Sequence, residues 1–399
     1  MPSLSKYLAL EGNIRVLALQ TLISQLGFGM LIVVWQPYML SVGLSVVDLG
    51  IIQSLINFST AAGLFIWGPL SDMFGRKRVI LLGHASRVIA VLALIISGNP
   101  IFLYVFAFFI GFSTLWYQMN PARTALMTES VPNEKRATAF GTLMAISQGT
   151  SMVMASVGGY LAIVTGYWWI FAITIVSEAI GIAIMALFVK ETHNVGGANS
   201  REVGTRIIAN LKPERELMPS YLMMVVMGVG YGVGYSLFYG ALTDTYRFTT
   251  LELGLMSTVS SLAWALGSIP SGKLAERFGA RAGVMLSTAS ALITVTGFIL
   301  FRSFAAFLLF SVFNGFDPCF WIPNWTSIIA ERTPIKIRAS ILGKLDAYNR
   351  VAAIPAPFIG GLIYAGYGFT APLLIHLIFV LIWGFMLVRI TAKPKMVTT

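Results

Sequence analysis

The chain has 399 residues, of which 57% are hydrophobic and 11% charged, where a soluble domain carries about 25% charged residues. That balance excludes a soluble protein of this size and an intrinsically disordered chain alike, and a single cysteine, Cys319, excludes a disulfide scaffold. The formal charge of +11 therefore has to be placed on a membrane protein.

A helix crosses the hydrocarbon core in roughly 20 residues. Twelve near-continuous apolar runs of that order follow one another along the chain: 15–40, 46–68, 79–97, 100–122, 138–164, 168–189, 219–243, 250–272, 282–301, 303–327, 339–364 and 369–390. They are numbered here as spans 1 to 12. Their length and lack of strict alternation predict helices rather than barrel strands. No signal peptide is expected, because the first run is too long and carries Gln20, Gln25 and Gln36.

Lys and Arg set the orientation. The connections after spans 2, 4, 6, 8 and 10 carry most of them, including Arg76, Lys77, Arg78, Lys135, Arg136, Lys273, Arg277, Arg332 and Arg338. Both termini are basic too. The connections after the odd-numbered spans hold only Arg247 and Arg302. The even connections and both termini are thus expected in the cytoplasm of a plasma (cell inner) membrane. The positive charge is read as contact with anionic lipid headgroups, and no nucleic acid is expected.

The chain repeats itself. Asp48-Leu49-Gly50 and Gly68 to Arg76 answer Glu252-Leu253-Gly254 and Gly272 to Ala280 at an offset of 204. Pro121, Glu129, Pro132, Arg136, Gly141, Gly158 and Gly159 answer Pro323, Glu331, Pro334, Arg338, Gly343, Gly360 and Gly361 at an offset of 202. The matches are mainly glycine, proline and charge, so shared apolarity does not explain them. Six spans per copy is an even number, so both copies insert the same way, as a parallel repeat about an axis along the membrane normal. The expected division is a bundle over 1–190, a cytoplasmic linker over 191–218 with a short amphipathic helix near 200–212, and a second bundle over 219–399.

A duplicated bundle can rock about its seam and expose a solute site to one side at a time. No motif for covalent chemistry, cofactor or metal accompanies it, so an enzyme is not expected. His84, His193 and His376 are scattered. Gly228, Gly230, Gly232 and Gly234 imitate a nucleotide loop, but no strand precedes them. They read as close helix packing or as a flexible stretch of span 7.

Gly68-x-Leu70-Ser71-Asp72-x-x-Gly75-Arg76-Lys77-Arg78, with its degenerate copy around Glu276 and the Pro121…Glu129…Pro132…Arg136 segment, resembles the loop signature of the major facilitator superfamily. The resemblance covers the whole chain. It implies an all-α membrane protein of two six-helix bundles related by a pseudo-two-fold axis, acting as a monomeric secondary transporter. Asp72 is expected to face Arg76, Arg136 or Arg338 in a cytoplasmic latch, with Gly68 and Gly75 allowing a tight turn and close approach. Two patterns that many proton-coupled drug exporters share are missing: Ala107 stands where they carry Arg, and Met154-Ala155 where they carry Gly-Pro.

Ionisable groups at bilayer depth are costly, and Asp317, Asp346 and Arg350 stand out in spans 10 and 11. Asp346 and Arg350 share a helix face. Either aspartate is a candidate proton carrier, Arg350 a candidate receptor for an organic anion, and the three together a candidate ion pair between the two spans. Arg87 and Glu178 lie in spans that the resemblance places outside the bundle, where a structural pairing is expected. By the same resemblance the cavity is lined from Gln25, Gln36, Trp116, Gln118, Tyr231, Tyr235, Tyr239, Asn314 and Trp321, the three tyrosines forming a stripe. Such a lining favours export of an amphipathic or drug-like organic solute coupled to protons. The alternatives are an uptake permease for an organic anion or other metabolite, and a non-transporting receptor on the same scaffold.

Overall fold

The structure, a computed structural model, describes residues 8–96, 98–114, 120–132, 135–193, 212–334 and 338–392, with the backbone alone at 137, 269, 275–276 and 338–340. Among the described residues, every predicted span contains helix. Spans 1 to 3 are α1 (Gly12–Ser41), α2 (Val46–Phe74) and α3 (Arg76–Ile95). Span 4 is α4 (Ile101–Phe112) and α5 (Pro121–Glu129), and spans 5 and 6 are α6 (Arg136–Thr165) and α7 (Tyr167–Phe188). Span 7 is α8 (Met218–Gly234) and α9 (Phe238–Tyr246), and spans 8 to 10 are α10 (Thr250–Phe278), α11 (Ala280–Leu300) and α12 (Phe304–Ala330). Span 11 is α13 (Arg338–Ala352) and α14 (Ala356–Tyr367), and span 12 is α15 (Thr370–Ala392). Eight helical stretches among the described residues have the length and apolarity for a crossing. Helix is what lipid demands, since no water is available there to satisfy an open backbone.

Spans 4, 7 and 11 are interrupted, where continuous runs were expected. Apolarity reports burial in lipid and is blind to the backbone. Pro121 and Pro355 lack the N–H that a continuing helix would use and disfavour a helical residue before them. Asn120 restarts span 4 by accepting from the backbone N–H groups of Ala122 and Arg123. In span 7 the break at 235–237 is held by Gln36. Its amide donates to Ser236 O at 2.8 Å and accepts from Gly240 N–H at 2.7 Å.

The repeat is written in the backbone as well as in the sequence. Gly75 and Gly279 join spans 2 to 3 and 8 to 9 with φ of 95° and 82°. Gly166 and Gly368 join spans 5 to 6 and 11 to 12, each with φ of 78°. Only glycine takes such angles without strain, so each copy turns at the same two places.

The chain forms two compact units, Met1–Trp35 with Leu55–Ile207, and Gln36–Ser54 with Ile208–Thr399. In the first, α3 packs on α4, α5 and α7. Its core includes Ile14, Leu17, Val79, Ile80 and Leu126. In the second, α12 packs on α10 and α11, and α8 packs on α13, α14 and α15. The glycines of α8 explain the latter contact: a Cβ at Gly228 would lie 2.1 Å from Asn349 O, and one at Gly232 would lie 2.5 Å from the Ala356 Cβ. They pack helices and form no loop. The expected amphipathic helix near 200–212 lies outside the described residues apart from Lys212, which is in no helix.

Candidate functional site

In the second unit, three helices converge on Asp317. The Tyr231 hydroxyl of α8 donates to Asp317 Oδ2, and the Ser287 hydroxyl of α11 donates to Oδ1 at 2.5 Å. Each carboxylate oxygen thus meets one hydroxyl. Tyr231 is held in place by its ring, which stacks on Trp383 at 5.3 Å and lies 4.8 Å from His376. Arg350 pairs with Asp346 instead, Nε to Oδ2 at 3.1 Å, within α13. The expected ion pair between spans 10 and 11 is therefore an i, i+4 pair inside span 11, because four residues is the spacing at which side chains meet on one helix.

The tyrosine stripe does not run along one helix. Helix α8 ends at Gly234, so Tyr235 caps it and Tyr239 belongs to α9. Tyr235 stacks on Phe238 at 4.8 Å, and Tyr239 lies 6.2 Å from the same ring. Asn314 donates to Ser260 Oγ at 3.0 Å, and Trp321 stacks on Trp325 at 5.2 Å. Gln25, in the first unit, is buried and donates to Ser147 and Ser151 of α6 at 2.7 and 3.0 Å. Gln36 is buried at the span 7 break. Trp116 and Gln118 lie outside the described residues.

The loop after span 2 is organised by Arg76. Its guanidinium donates to Asp72, to Ser71 Oγ at 2.6 Å and to Glu129 Oε1 at 3.2 and 3.1 Å. Glu191 accepts the backbone N–H groups of Arg76 and Lys77, both at 3.0 Å, and so caps α3. A carboxylate at a helix N-terminus also meets the positive end of its dipole. Asp72 is half-exposed and pairs with Arg76. Arg136 donates to Thr128 O at 3.0 Å, and Arg78 is exposed. The side chains of Glu276 and Arg338 lie outside the described residues. Gly75 needs its positive φ, whereas an added Cβ at Gly68 would meet only Pro121 Cβ at 3.7 Å. Gly68 is therefore not required for close approach, since 3.7 Å is ordinary van der Waals contact. At the start of span 7, Lys344 donates to Glu214 at 2.7 Å and the Tyr221 hydroxyl donates to its other oxygen. Burial pushes the Glu214 carboxyl up, but these hydrogen bonds outweigh it and hold the group below the usual carboxylate range.

Sequence reasoning missed an extended buried polar assembly in the first unit. Glu178 of α7 is fully buried and pairs with Arg87 of α3 at 2.6 Å. The pairing of these two expected from the sequence is present, but it is one link of a network. His84 lies 2.8 Å from Glu178, Ser24 donates to Glu178, and Gln20 joins His84 to Arg123.

The sequence profile of the Major Facilitator Superfamily matches residues 17–239 and 220–399. The chain belongs to the Major Facilitator Superfamily. Among its superfamily relatives, the multidrug resistance protein MdtG of Proteus mirabilis (strain HI4320) is 23% identical over 326 residues, covering 79% of this chain and 78% of that protein. Multidrug resistance protein 2 of Bacillus subtilis (strain 168) is 23% identical over 352 residues, covering 85% of each. The fold is similar to that of the nucleoside transporter NupG, with a TM-score of 0.76 at 13% identity over 96% of this chain and all of that one. It is also similar to the human organic anion transporter MFSD10 (TETRAN), with a TM-score of 0.68 at 15% identity over 94% and 98%. The chain is thus a multi-pass membrane transporter of the superfamily that acts on a small-molecule solute, and it is not an enzyme. Within that superfamily fold, Asp317 and the Glu178 network are hydrogen-bonded charges inside the predicted spans.

Proposed function

We propose that this transporter exports amphipathic, drug-like organic compounds across a prokaryotic plasma membrane, as a monomer with both termini in the cytoplasm, driven by protons that load and leave at Asp317. The setting of Asp317 carries the reading. Its partners are the hydroxyls of Tyr231 and Ser287, and among the described residues no cation pairs with it. A hydroxyl donates to a carboxylate and accepts from a carboxylic acid, so both protonation states keep their hydrogen bonds. A carboxylate locked to arginine lacks that freedom. Export is supported by the multidrug resistance relatives and by the aromatic surroundings of Tyr231. The Asp72–Arg76–Glu129 cluster stabilises the cytoplasmic end of the first bundle in one state of the cycle.

The test is reconstitution in proteoliposomes with ethidium as the probe solute and an imposed pH gradient. Asp317→Asn is expected to abolish gradient-driven accumulation while leaving solute exchange at equal pH. Accumulation equal to wild type would remove Asp317 from the mechanism.

A further inference from the structure

The buried network of the first unit has an unbalanced charge, and the hydrogen bonds locate it. Arginine can only donate. Arg123 Nη1 donates to Gln20 Oε1 at 3.1 Å, so the other end of that amide, Gln20 Nε2, is the N–H group facing His84 Nε2 at 3.2 Å. His84 therefore accepts at Nε2. It carries its single proton on Nδ1 and donates it to Glu178 Oε2 at 2.8 Å. His84 is neutral in this arrangement. Both oxygens of Glu178 are engaged, one by His84 and the other by Ser24 and Arg87. Arg87 also sits 4.0 Å over the Phe28 ring, a further cation partner.

Two guanidiniums and one carboxylate leave one positive charge, and it belongs to Arg123. Its partners among the described residues are neutral: the Gln20 carbonyl and the Thr21 hydroxyl. Arg123 is 5% exposed. A buried cation satisfied only by neutral acceptors is costly unless something negative completes it. The structure supplies a place for that. Arg123 lines an open cavity of about 20 Å³ with Thr124, Met127, Leu143, Met144 and Phe140. That is room for about one water-sized group, and the wall beyond it is apolar, with Phe140 48% exposed.

We propose that Arg123 is the receptor for the carboxylate head of an amphipathic organic monoanion, whose hydrocarbon part lies along Phe140 and Met144. The inference rests on the transport reading above and adds amphipathic monoanions to the compounds it covers. It does not involve Arg350, whose charge Asp346 already engages. A cationic head would be repelled by the guanidinium, and a neutral acceptor would leave its charge uncompensated.

The purified full chain tests this with decanoate, decanamide and decyltrimethylammonium as matched probes, read by thermal shift and by titration. Wild type is expected to be stabilised by decanoate at concentrations at least tenfold lower than by either other probe. Arg123→Gln is expected to lose that preference. Should Arg123→Gln fail to fold, Met144→Glu places a carboxylate on the same cavity wall, and is expected to fold and to abolish the decanoate preference. Decanoate binding no tighter than decanamide to wild type, or unchanged by either substitution, overturns the proposal. Ethidium flux in the same preparation separates the two failures: flux with no decanoate preference removes only the anion site, whereas absent flux removes the transport reading itself.

Discussion

Glu178 is the residue on which the first bundle's polar interior turns. It accepts from Ser24, His84 and Arg87 with no exposure to solvent. Removing one partner of a buried ion pair leaves the other uncompensated and costs about 3–5 kcal/mol. Glu178→Gln is therefore expected to lower the melting temperature of the solubilised protein by several degrees, and Glu178→Asp by less. Glu214 makes a pH-dependent contribution. Its carboxyl is held below its ordinary range by Lys344 and Tyr221, so the stabilisation is present above the unfolded pKa and is lost as pH falls through the folded one. The melting-temperature gap between wild type and Glu214→Gln should be full at pH 7 and should close progressively below about pH 4.3. Asp317, Asp346 and Arg350 were legible in the sequence because a charge inside an apolar run stands out. Arg123 was not, since it lies one residue beyond the predicted end of span 4, where a charge reads as loop. Glu129 was visible as a repeat position, but pairing with Arg76 depends on how α5 packs on α3.

Helices are where the sequence was most informative and where it also misled. Apolar runs found helix in every span, though spans 2, 4 and 8 run six or seven residues past their predicted ends. They could not show that spans 4, 7 and 11 break, because the breaks depend on local backbone chemistry: Asn120 capping Pro121, Gln36 holding Ser236 and Gly240, and Pro355 opening α14. The tyrosine stripe failed for the same reason, since a four-residue spacing makes a stripe only on an unbroken helix. The Gly228–Gly234 run was legible as packing, and α8 shows its cost. A methyl at Gly228 would meet the carbonyl oxygen of Asn349 at 2.1 Å, a backbone atom that cannot swing aside. Gly228→Ala is expected to destabilise the second bundle by about 1–3 kcal/mol, whereas Gly272→Ala, where an added Cβ meets nothing within 4 Å, should be neutral. Thermal melts of the two variants make the comparison.

At the scale of the whole chain, duplication and charge asymmetry dominate. Two glycine turns recur in each copy at the same places, so the architecture follows from one six-span pattern used twice. The charges within the spans do not recur. The acid Asp317 stands in one bundle opposite Leu115 in the repeat, and Arg350 opposite Gln148. In the other bundle, Arg123 corresponds to Trp325. The duplicated scaffold thus carries a buried acid in one bundle and an excess cation in the other, the asymmetry on which the proposed proton-coupled export rests. Simultaneous recording of ethidium and internal pH in proteoliposomes tests that exchange directly. The account predicts that dye accumulating against its gradient is matched by protons moving the opposite way, with the accumulation abolished when a protonophore collapses the proton gradient. Dye movement that leaves internal pH untouched and persists without a proton gradient would contradict it.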